Sequence, residues 1–364
     1  MRIETEVELS TRSTLGVGGP ARYYAQATSV ADLQAALDWA HAGGHALRVL
    51  GGGSNIVVAD AGFSGLVLDN ALSGVRTSLR GNEIEVSVAA GESWDAFVAD
   101  MVRQGFQGLE CLSGIPGRVG ATPIQNVGAY GQDVSESIVR VVALDRSYRN
   151  QVVFSNAECR FAYRDSYFKS EEPERFVVSE VVFRLRPNAA PKIAYAELER
   201  ELRARGHVKP SLADVRETVL ALRRSKSMLI DANDPNTRSC GSFFTNPLLS
   251  QDEFTKFSFR ADGEGEVPRF PQSDGRIKLS AGWLIEHAGF SRGMNDGRVG
   301  LSEKHALALV ARSDAKARDV VAFARRIRTT VFERFGVELV PEPVFWGFPR
   351  MDRGLPAPAP VAVN

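Results

Sequence analysis

The stretch that most constrains the fold is residues 114–131, which contain five glycines and a single charged side chain, Arg118. Exposed loops usually carry more charge, so we expect this stretch to pack against another part of the molecule or a ligand. Glycine lets backbone N–H groups approach a phosphate, and Arg118 would supply a positive charge there. A tightly packed structural loop has the same composition, because glycine also serves bends and close packing. The stretch predicts a buried loop and leaves its role open.

A second glycine run, Gly51-Gly52-Gly53, is followed by Ser54 and Asn55. Its flanks have strand composition, so the run joins strand to strand. A hairpin turn would explain the glycines alone, but the two hydrogen-bonding side chains also fit a ligand loop. Neither glycine segment ends in the Lys-Ser/Thr pair of a P-loop. Together the two segments indicate a large phosphorylated ligand held from two sides.

Two familiar motifs fail on their context. The spacing Gly16-x-Gly18-x-x-Ala21 is similar to a dinucleotide-binding fingerprint, which must lie between a strand and a helix. Pro20 and the aromatic residues that follow indicate a turn entering a strand instead. Residues 289–293 match the G-x-S-x-G elbow of serine hydrolases, but the sequence before them is helical and Gly289 fits as its stop. We therefore expect neither a Rossmann site nor a serine hydrolase.

Charge and cysteine content exclude several classes of protein. The 364 residues include 44 Lys plus Arg and 44 Asp plus Glu, so bulk charge recruits neither nucleic acid nor an anionic membrane. Three cysteines without C-x-x-C spacing and five histidines without H-E-x-x-H predict no metal site and suit a reducing compartment. A polar N-terminus and no apolar run of ~18 residues predict a cytoplasmic protein without membrane insertion.

Hydrophobic periodicity predicts helices and strands that are mixed without strict alternation, which favours the α+β class. Ser29, Ser211 and Ser313 are the expected N-caps, and Gly43 and Gly336 the expected helix stops. Helices are predicted at 29–43, 92–104, 211–224, 279–288 and 314–335. Strands are predicted at 46–50, 138–144, 176–185 and 306–310, long loops at 247–278, and a disordered tail at 353–364.

Three further segments combine polar and aromatic side chains without defining a site by themselves. They are Tyr163-Arg164-Asp165-Ser166, Gly241-Ser242-Phe243-Phe244 and Pro341-Glu342-Pro343. A serine after glycine is more often a turn residue than a catalytic one. Propensity arguments do not join these segments into one site.

Taken in chain order, the motifs resemble those of the UDP-N-acetylenolpyruvoylglucosamine reductase (MurB) family, flavoenzymes of peptidoglycan precursor synthesis. The match begins at Ser13-Thr14-Leu15-Gly16, ends at Glu342, and includes both glycine segments, 163–166, 241–244 and 281–285. Six motifs in the same order are far more specific than any one of them.

The resemblance implies an α+β protein with a two-lobed FAD-binding domain of the PCMH/vanillyl-alcohol-oxidase type and a smaller substrate-binding domain. The implied ranges are 1–70 for lobe 1, with a strand near 337–350 returning to it, 71–225 for lobe 2, and 226–336 for the substrate-binding domain. FAD and NADPH are the implied cofactors: NADPH reduces the flavin, which passes a hydride to C3 of an enolpyruvyl sugar nucleotide. The oligomeric state stays open, with a monomer as the expectation.

The resemblance also assigns site residues. Ser242 would give a proton to C2, Arg164 would stabilise the enolate-like charge, and Glu342 would complete the polar cluster. The implied cofactor-binding residues are Gly51, Gly52, Gly53, Ser54, Asn55, Ile115, Pro116, Gly117, Gln125, Asn126, Gly128, Ala129 and Tyr130. The implied substrate-binding residues are Tyr163, Tyr195, Lys226 and Asn246. Tyr195 lies in Tyr195-Ala196-Glu197-Leu198, which is similar to the longer subclass with a substrate-clamping tyrosine loop.

Two questions stay open at this point. His287 occupies a position where some family members carry a glutamine near the substrate, and a helix-end histidine with local partners is the alternative. The rival functions are another FAD-dependent oxidase of the same superfamily and a non-catalytic protein that binds sugar nucleotides.

Overall fold

The computed structural model describes residues 1–352 and 354–357, and these residues divide into two compact units. Unit 1 consists of Met1–Val7, Ala21–Gly53 and Ser64–Leu229. Unit 2 consists of Glu8–Pro20, Ser54–Phe63 and the described residues from Ile230 onward. Both units mix helices with strands, so the predicted α+β class is confirmed.

The α-helices are α1 (Val30–Ala42), α2 (Trp94–Arg103), α3 (Ala196–Ala204), α4 (Leu212–Ser225), α5 (Gln251–Arg260), α6 (Ala281–His287) and α7 (Ala317–Phe335). The strands are β1 (Ile3–Glu8), β2 (Pro20–Ala27), β3 (Leu47–Leu50), β4 (Ile56–Val58), β5 (Phe63–Asn70), β6 (Val75–Arg80), β7 (Glu83–Ala89), β8 (Phe106–Gln107), β9 (Gly128–Ala129), β10 (Gln132–Asp133), β11 (Ile138–Asp145), β12 (Gln151–Ser155), β13 (Phe176–Pro187), β14 (Leu248–Leu249), β15 (Arg269–Pro271), β16 (Ile277–Leu279), β17 (Asn295–Asp296), β18 (Val299–Leu301), β19 (Leu309–Ala311), β20 (Val344–Trp346), β21 (Met351–Asp352) and β22 (Leu355–Pro356).

The largest sheet of unit 1 is antiparallel, with strand order β12-β11-β13-β7-β6. Its register places Val181 of β13 between Val141 of β11 and Val88 of β7, and all three are fully buried. Helix α2 covers this row because Trp94 and Phe97 pack on Phe183 of β13, with ring centroids 5.9 and 5.2 Å away. The N-terminus of α2 is thereby held beside the glycine-rich stretch 114–131.

A smaller sheet of order β1-β2-β5-β3 carries α1. Strands β3 and β5 are parallel, and α1 makes the crossover between β2 and β3. The helix buries Leu33, Ala36, Leu37 and Ala40 against apolar residues of the sheet. The glycine run 51–53 begins directly after β3, at the carboxyl end of a parallel strand.

Unit 2 has its own core, centred on α6 and α7. Phe323, Ile327 and Val331 of α7 are buried with Leu284 and Ile285 of α6. Strand β20 pairs in parallel with β4, so that Phe345 lies opposite Val57. Strand β20, late in the chain, therefore returns to a segment of the N-terminal part of the chain.

Local capping signals predicted several helices correctly. Ser29 and Ser211 accept hydrogen bonds from the backbone N–H groups of Asp32 and Asp214 at the start of α1 and α4. Gly336 ends α7 in the left-handed conformation, with φ +70°. The predicted strands at 138–144 and 176–185 correspond to β11 and β13.

Three local predictions were wrong. Residues 247–278 are not only loops, because Ser250 and Glu253 form a capping box that begins α5, and Phe257 anchors the helix in the core. Helix α3 was missed. Helix α7 begins at Ala317 rather than near Ser313, since the Asp60 carboxylate accepts from the N–H groups of Ala317 and Arg318 at 2.7 and 3.2 Å.

The predicted disordered tail is ordered over 354–357. Leu355 is fully buried and pairs with Asp352 in the β21–β22 hairpin. The carbonyl of Pro356 also accepts a hydrogen bond from Arg325 of α7. The other tail positions, 353 and 358–364, lie outside the described residues.

Candidate active site

The two glycine segments meet within unit 1. A Cβ atom added to Gly52 would lie 2.6 Å from the Cα of Gly117, so backbone packs directly on backbone. Gly53 has φ +64° and Gly117 has φ +122°, conformations that L side chains rarely adopt. Gly52 is exposed and Gly117 half-buried, so this joint edge remains open to a ligand.

The segment after Gly117 is held against the N-terminus of α2. The carbonyl of Gly117 accepts from the N–H of Trp94, and the N–H groups of Val119 and Gly120 donate to carbonyls of residues 92 and 90. The partners in these bonds are backbone atoms at the start of α2 and of the residues just before it, not side chains. They explain why the stretch is buried despite its lack of large side chains.

Arg118 does not have the role proposed for it from the sequence. Its guanidinium binds the carboxylate of Asp69 and the carbonyl of Asn70. Asp69 is buried and also accepts from Tyr24 Oη at 2.8 Å and from Gln26 Nε2 at 3.1 Å. The positive charge of Arg118 is therefore balanced by a carboxylate in the protein interior.

The second half of the stretch forms a tight hairpin from β9 to β10. Tyr130 and Gly131 connect the strands with φ +49° and +78°, as a type I′ turn requires. Asn126 is also left-handed, with φ +46°, and is fixed by side-chain bonds to Ala162 O at 3.0 Å and Ser135 N at 3.1 Å. Left-handed non-glycine residues are uncommon and concentrate at functional sites.

Arg164 lies at the tip of a two-residue turn closed by paired backbone bonds between Ala162 and Asp165. It has φ +55°, at a position where turns favour glycine. Arg164 Nη2 donates to the carbonyl of Gly128 at 2.7 Å, and the carbonyl of Arg164 accepts from Lys169 Nζ at 2.7 Å. The guanidinium also lies 5.7 Å from the ring centroid of Tyr163. The structure thus brings Tyr163 and Arg164 to the hairpin that contains Asn126, Gly128 and Tyr130.

Tyr130, Tyr195 and Lys226 form a second cluster in unit 1. The rings of Tyr130 and Tyr195 meet edge to face at 5.6 Å, and Lys226 Nζ lies 5.9 Å from the Tyr130 centroid. Lys226 Nζ also pairs with Glu197 Oε2 at 2.7 Å. Burial raises the pKa of Tyr130 to about 12 and raises that of Tyr195, with the Glu197 charge acting in the same direction. Both phenols are neutral hydrogen-bonding groups at neutral pH.

Ser242 and Glu342 lie on neighbouring extended segments of unit 2. Phe244 bridges Pro341, and the N–H of Glu342 donates to the carbonyl of Phe243 at 2.9 Å. Asn55 Nδ2 donates to the carbonyl of Glu342 at 3.3 Å. Among the residues that the structure describes, none forms a hydrogen bond with the Ser242 hydroxyl. Arg164 belongs to unit 1, so only two of the three predicted catalytic residues share a unit.

Two further predicted positions have local roles in unit 2. Asn246 Oδ1 accepts from the N–H of Ala281 at 2.9 Å at the start of α6, which leaves the amide Nδ2 as its donor. The His287 Nδ1–H donates to Trp283 O at 2.9 Å, and the ring stacks on that indole at 3.8 Å. These contacts match the helix-end alternative for His287.

Sequence reasoning missed the residues that hold these segments. Four of them contact a predicted site segment or residue, namely Asp69, Asp95, Arg223 and Glu197, and Arg216 binds one of these four, Asp95. Only Glu197 had a sequence signal, because it lies two positions after Tyr195. The others are ordinary charged residues on helices or strands far away in the chain.

The residues present fit the FAD diphosphate that the sequence resemblance implied. Diphosphates bind backbone N–H groups of glycine loops, and a side chain at Gly52 would fill the place where its loop approaches Gly117. A Cβ atom on Gly128 would lie 1.7 Å from Asp133 Oδ1, so a side chain there would displace the Asp133 carboxylate. Residues 51–53 and 115–117 are uncharged, which suits binding through the backbone.

In the described ranges, no group of three His, Cys, Asp or Glu side chains is arranged to hold a metal ion. No described helix combines the length and the apolar character needed to span a bilayer. The cysteines Cys111, Cys159 and Cys240 are buried free thiols.

The chain is similar to known proteins over most of its length. Residues 234–346 match the family model of the UDP-N-acetylenolpyruvoylglucosamine reductase C-terminal domain, and residues 21–146 match an FAD binding domain. The UDP-N-acetylenolpyruvoylglucosamine reductase of Thermobifida fusca (strain YX) is 50% identical over 347 residues, 94% of this chain and 97% of the relative. The reductase of Streptomyces coelicolor is 46% identical over 348 residues, 94% of this chain and 90% of the relative.

A solved structure extends the likeness to the fold. The UDP-N-acetylenolpyruvylglucosamine reductase (MurB) of Thermus caldophilus has a TM-score of 0.65 and 26% identity, covering 95% of this chain and 99% of its own. The predicted combination of an FAD-binding domain with a second α+β domain is thereby confirmed. The chain belongs to the UDP-N-acetylenolpyruvoylglucosamine reductase family.

Proposed function

We infer that the chain catalyses the NADPH-dependent reduction of UDP-N-acetylglucosamine enolpyruvate to UDP-N-acetylmuramate, with FAD as its flavin. The observation that carries this conclusion is the backbone-to-backbone approach of Gly52 and Gly117, at 2.6 Å for an added Cβ, in a member of this family. An open, uncharged glycine edge of this kind suits a cofactor diphosphate. The product is a precursor of peptidoglycan.

The glycine segments hold the cofactor. Residues 51–55 and 115–117 would bind the diphosphate through backbone N–H groups, and the hairpin from Gln125 to Tyr130 would contact the adjoining groups. When bound, FAD would supply the redox chemistry, the transfer of a hydride from NADPH to C3 of the enolpyruvyl group. The protein contributes orientation and charge.

Ser242, Arg164 and Glu342 act on the reacting part of the substrate. Hydride arrival at C3 places negative charge on the carbon and carboxylate next to it, and the Arg164 guanidinium stabilises that charge. The Ser242 hydroxyl delivers the proton to C2 as general acid. Its freedom from hydrogen bonds to described residues supports this role, because the hydroxyl need not break one to reach the substrate. Glu342 completes the polar cluster beside Ser242.

Tyr163, Tyr195, Lys226 and Asn246 hold the sugar nucleotide. Lys226 supplies positive charge for the diphosphate, and Tyr195, on the segment that leads into α3, covers it as in the longer subclass of the family. Support for this grouping comes from the contact of Lys226 and Tyr195 with the same Tyr130 ring.

The test is a turnover assay with the purified chain. We expect a yellow protein that consumes NADPH and forms UDP-N-acetylmuramate when the enolpyruvyl substrate is added. Bound flavin without turnover would refute the reductase. Oxygen consumption without NADPH would support a flavin oxidase, and a colourless protein that takes up no FAD would support a non-catalytic sugar-nucleotide-binding protein.

The setting of this reaction is also part of the proposal. A protein that makes a cell-wall precursor from nucleotide-linked sugars acts in the cytoplasm and supports cell shape, growth and division. We propose a monomer, which size-exclusion chromatography with light scattering will test. The predicted ranges 1–70, 71–225 and 226–336 remain our proposal for the two FAD lobes and the substrate-binding domain.

A further inference from the structure

Gly114 directly precedes the proposed cofactor-binding segment 115–117. Both its backbone N–H and its carbonyl form hydrogen bonds with ionisable side chains. Its N–H donates to Asp95 Oδ1 at 2.5 Å, and its carbonyl accepts from Arg223 Nε at 3.1 Å. Gly114 has φ +72°, and an added Cβ atom would lie 2.6 Å from Leu229 Cδ2. The residue therefore requires glycine and is held in one conformation from both sides.

Asp95 is itself fixed by a forked ion pair. It lies in the first turn of α2, and Arg216 of α4 donates through Nη1 to Oδ1 at 2.6 Å and through Nη2 to Oδ2 at 2.9 Å. Such bidentate arginine–carboxylate pairs are strong and directional. Burial acts to raise the pKa of Asp95, but the bonds from Arg216 and the Gly114 N–H outweigh it and hold that pKa below its ordinary value. The carboxylate is charged at neutral pH.

Helix α4 carries both arginines. Arg216 and Arg223 are seven residues apart, so they lie on one face of the helix. Arg223 Nη2 also donates to the carbonyl of Met228 at 2.9 Å, just beyond the helix end. Lys226, the residue proposed to bind the substrate diphosphate, is the C-cap of the same helix. One helix thus carries the arginines that bind Asp95 and Gly114 and ends at the lysine proposed to bind substrate.

We propose that Asp95, Arg216 and Arg223, here called the Gly114 clamp, are positioning residues for the cofactor-binding segment 115–117. The clamp holds the entry of the segment so that its N–H groups are preorganised for the FAD diphosphate, and it ties this segment to the helix that ends in Lys226. None of the three residues is a catalytic residue in this scheme. The inference rests on the proposed function, because the ligand of the segment is the flavin cofactor.

The experiment measures the Kd of FAD for the full-length protein after its flavin has been removed, with quenching of flavin fluorescence as the signal. Asp95→Asn keeps the shape of the side chain, but its Nδ2 meets the donors of Arg216, so the ion pair is lost. We expect the Kd of FAD to rise at least about tenfold, since hydrogen bonds to charged groups contribute ~1.5–3 kcal/mol. Saturating FAD should restore kcat to near the wild-type value, because the clamp acts on positioning of the loop.

Unit 1 offers a matched control. Asp145 accepts from the N–H of Ser147 at 2.8 Å through Oδ1 and from Arg175 Nε and Nη2 at 3.1 and 2.8 Å through Oδ2. It is therefore another arginine-paired aspartate that binds a backbone N–H, at a turn outside the glycine segments. Asp145→Asn should lower stability and leave the Kd of FAD unchanged. An equal change in Kd for both variants would overturn the clamp, as would a kcat that saturating FAD does not restore.

If Asp95→Asn does not fold, a second variant tests the same proposal. Arg216→Lys retains the positive charge but cannot form the bidentate pair with Asp95. A Kd of FAD above that of Asp145→Asn would support the clamp, and a Kd equal to it would overturn the clamp. Wild-type protein that takes up no FAD would overturn the proposed function together with the clamp. Normal uptake by wild type and all variants overturns the clamp alone.

Discussion

The glycine-rich region of unit 1 and the Ser242–Glu342 region of unit 2 position their functional groups in opposite ways. In unit 1 side chains hold the backbone: Asp95 binds the Gly114 N–H, and Asn126 binds Ala162 and Ser135. In unit 2 backbone bonds, such as the one from Glu342 N–H to Phe243 O, hold the extended segments together, and the proposed functional groups are side chains. The functional surface is thus backbone in one region and side chain in the other.

This difference separates two kinds of defect. Substitutions in the glycine-rich region should change cofactor affinity, because they move N–H groups. Substitutions in the Ser242 region should change the rate of a chemical step with little effect on affinity.

Ser242→Ala should slow transfer to the enolpyruvyl substrate by about a thousandfold, within the range known for lost general acids, while flavin reduction by NADPH stays near wild type. Stopped-flow absorbance of flavin reoxidation measures the first rate and NADPH-driven bleaching the second. Ser239→Ala is the control, because this nearby hydroxyl accepts from the Gly241 N–H at 3.3 Å and has a structural role. Reoxidation of Ser242→Ala at the wild-type rate would exclude it as proton donor.

Gly52→Ala should weaken FAD binding by about ten- to a hundredfold, because overpacking costs ~1–3 kcal/mol and the new methyl group would lie 2.6 Å from Gly117 Cα. The measurement is the same FAD titration. Gly282→Ala in α6 is the control, since its nearest neighbour would be 3.7 Å away. Unchanged FAD affinity in Gly52→Ala would mean that the loops do not form a joint binding edge.

Lys226→Met should raise the KM of the sugar nucleotide about tenfold or more, because the loss of one hydrogen bond from a charged group weakens binding by about that factor. The rate of flavin reduction by NADPH should stay unchanged. Steady-state kinetics at varied substrate give the KM. Lys192→Met is matched to it, because Lys192 Nζ also pairs with a glutamate, Glu136 Oε2, at 2.7 Å. Equal KM values for Lys226→Met and Lys192→Met would show that Lys226 does not bind the substrate.

The two aspartate–arginine pairs should make stability sensitive to acid. Burial acts to raise the pKa values of Asp95 and Asp145, but bonds from Arg216 and Arg175 hold both values below the ordinary one. A carboxyl with a lowered folded-state pKa stabilises the protein above about pH 4 and loses that contribution as the pH falls through its folded pKa. Urea unfolding between pH 3 and 7 should show a smaller acid loss in Asp145→Asn than in wild type. If the free energy of unfolding falls equally with pH in wild type and in Asp145→Asn, the Asp145 carboxylate is not linked to stability.

Local signals predicted much of the secondary structure but only part of the site. Ser29 and Ser211 cap helices as expected, and the same Ser-x-x-Glu logic at Ser250 would have found α5. Composition predicted that residues 114–131 are buried, and the ligand-binding role of the two glycine segments stays a prediction. Arg118 was misassigned, because its partner Asp69 lies 49 positions away and no local pattern connects them.

Patterns in the amino-acid sequence established the capped helices α1 and α4, the strand-to-strand glycine run and the family, because these depend on residues within a few positions or on an ordered set of motifs. Only the tertiary structure decided where α7 begins, how Arg118 is used and what holds Gly114. Asp60 reaches Ala317 across 257 positions, and Arg216 reaches Asp95 across 121. Ion pairs and caps of this kind depend on distance in space, which the order of residues along the chain does not reveal.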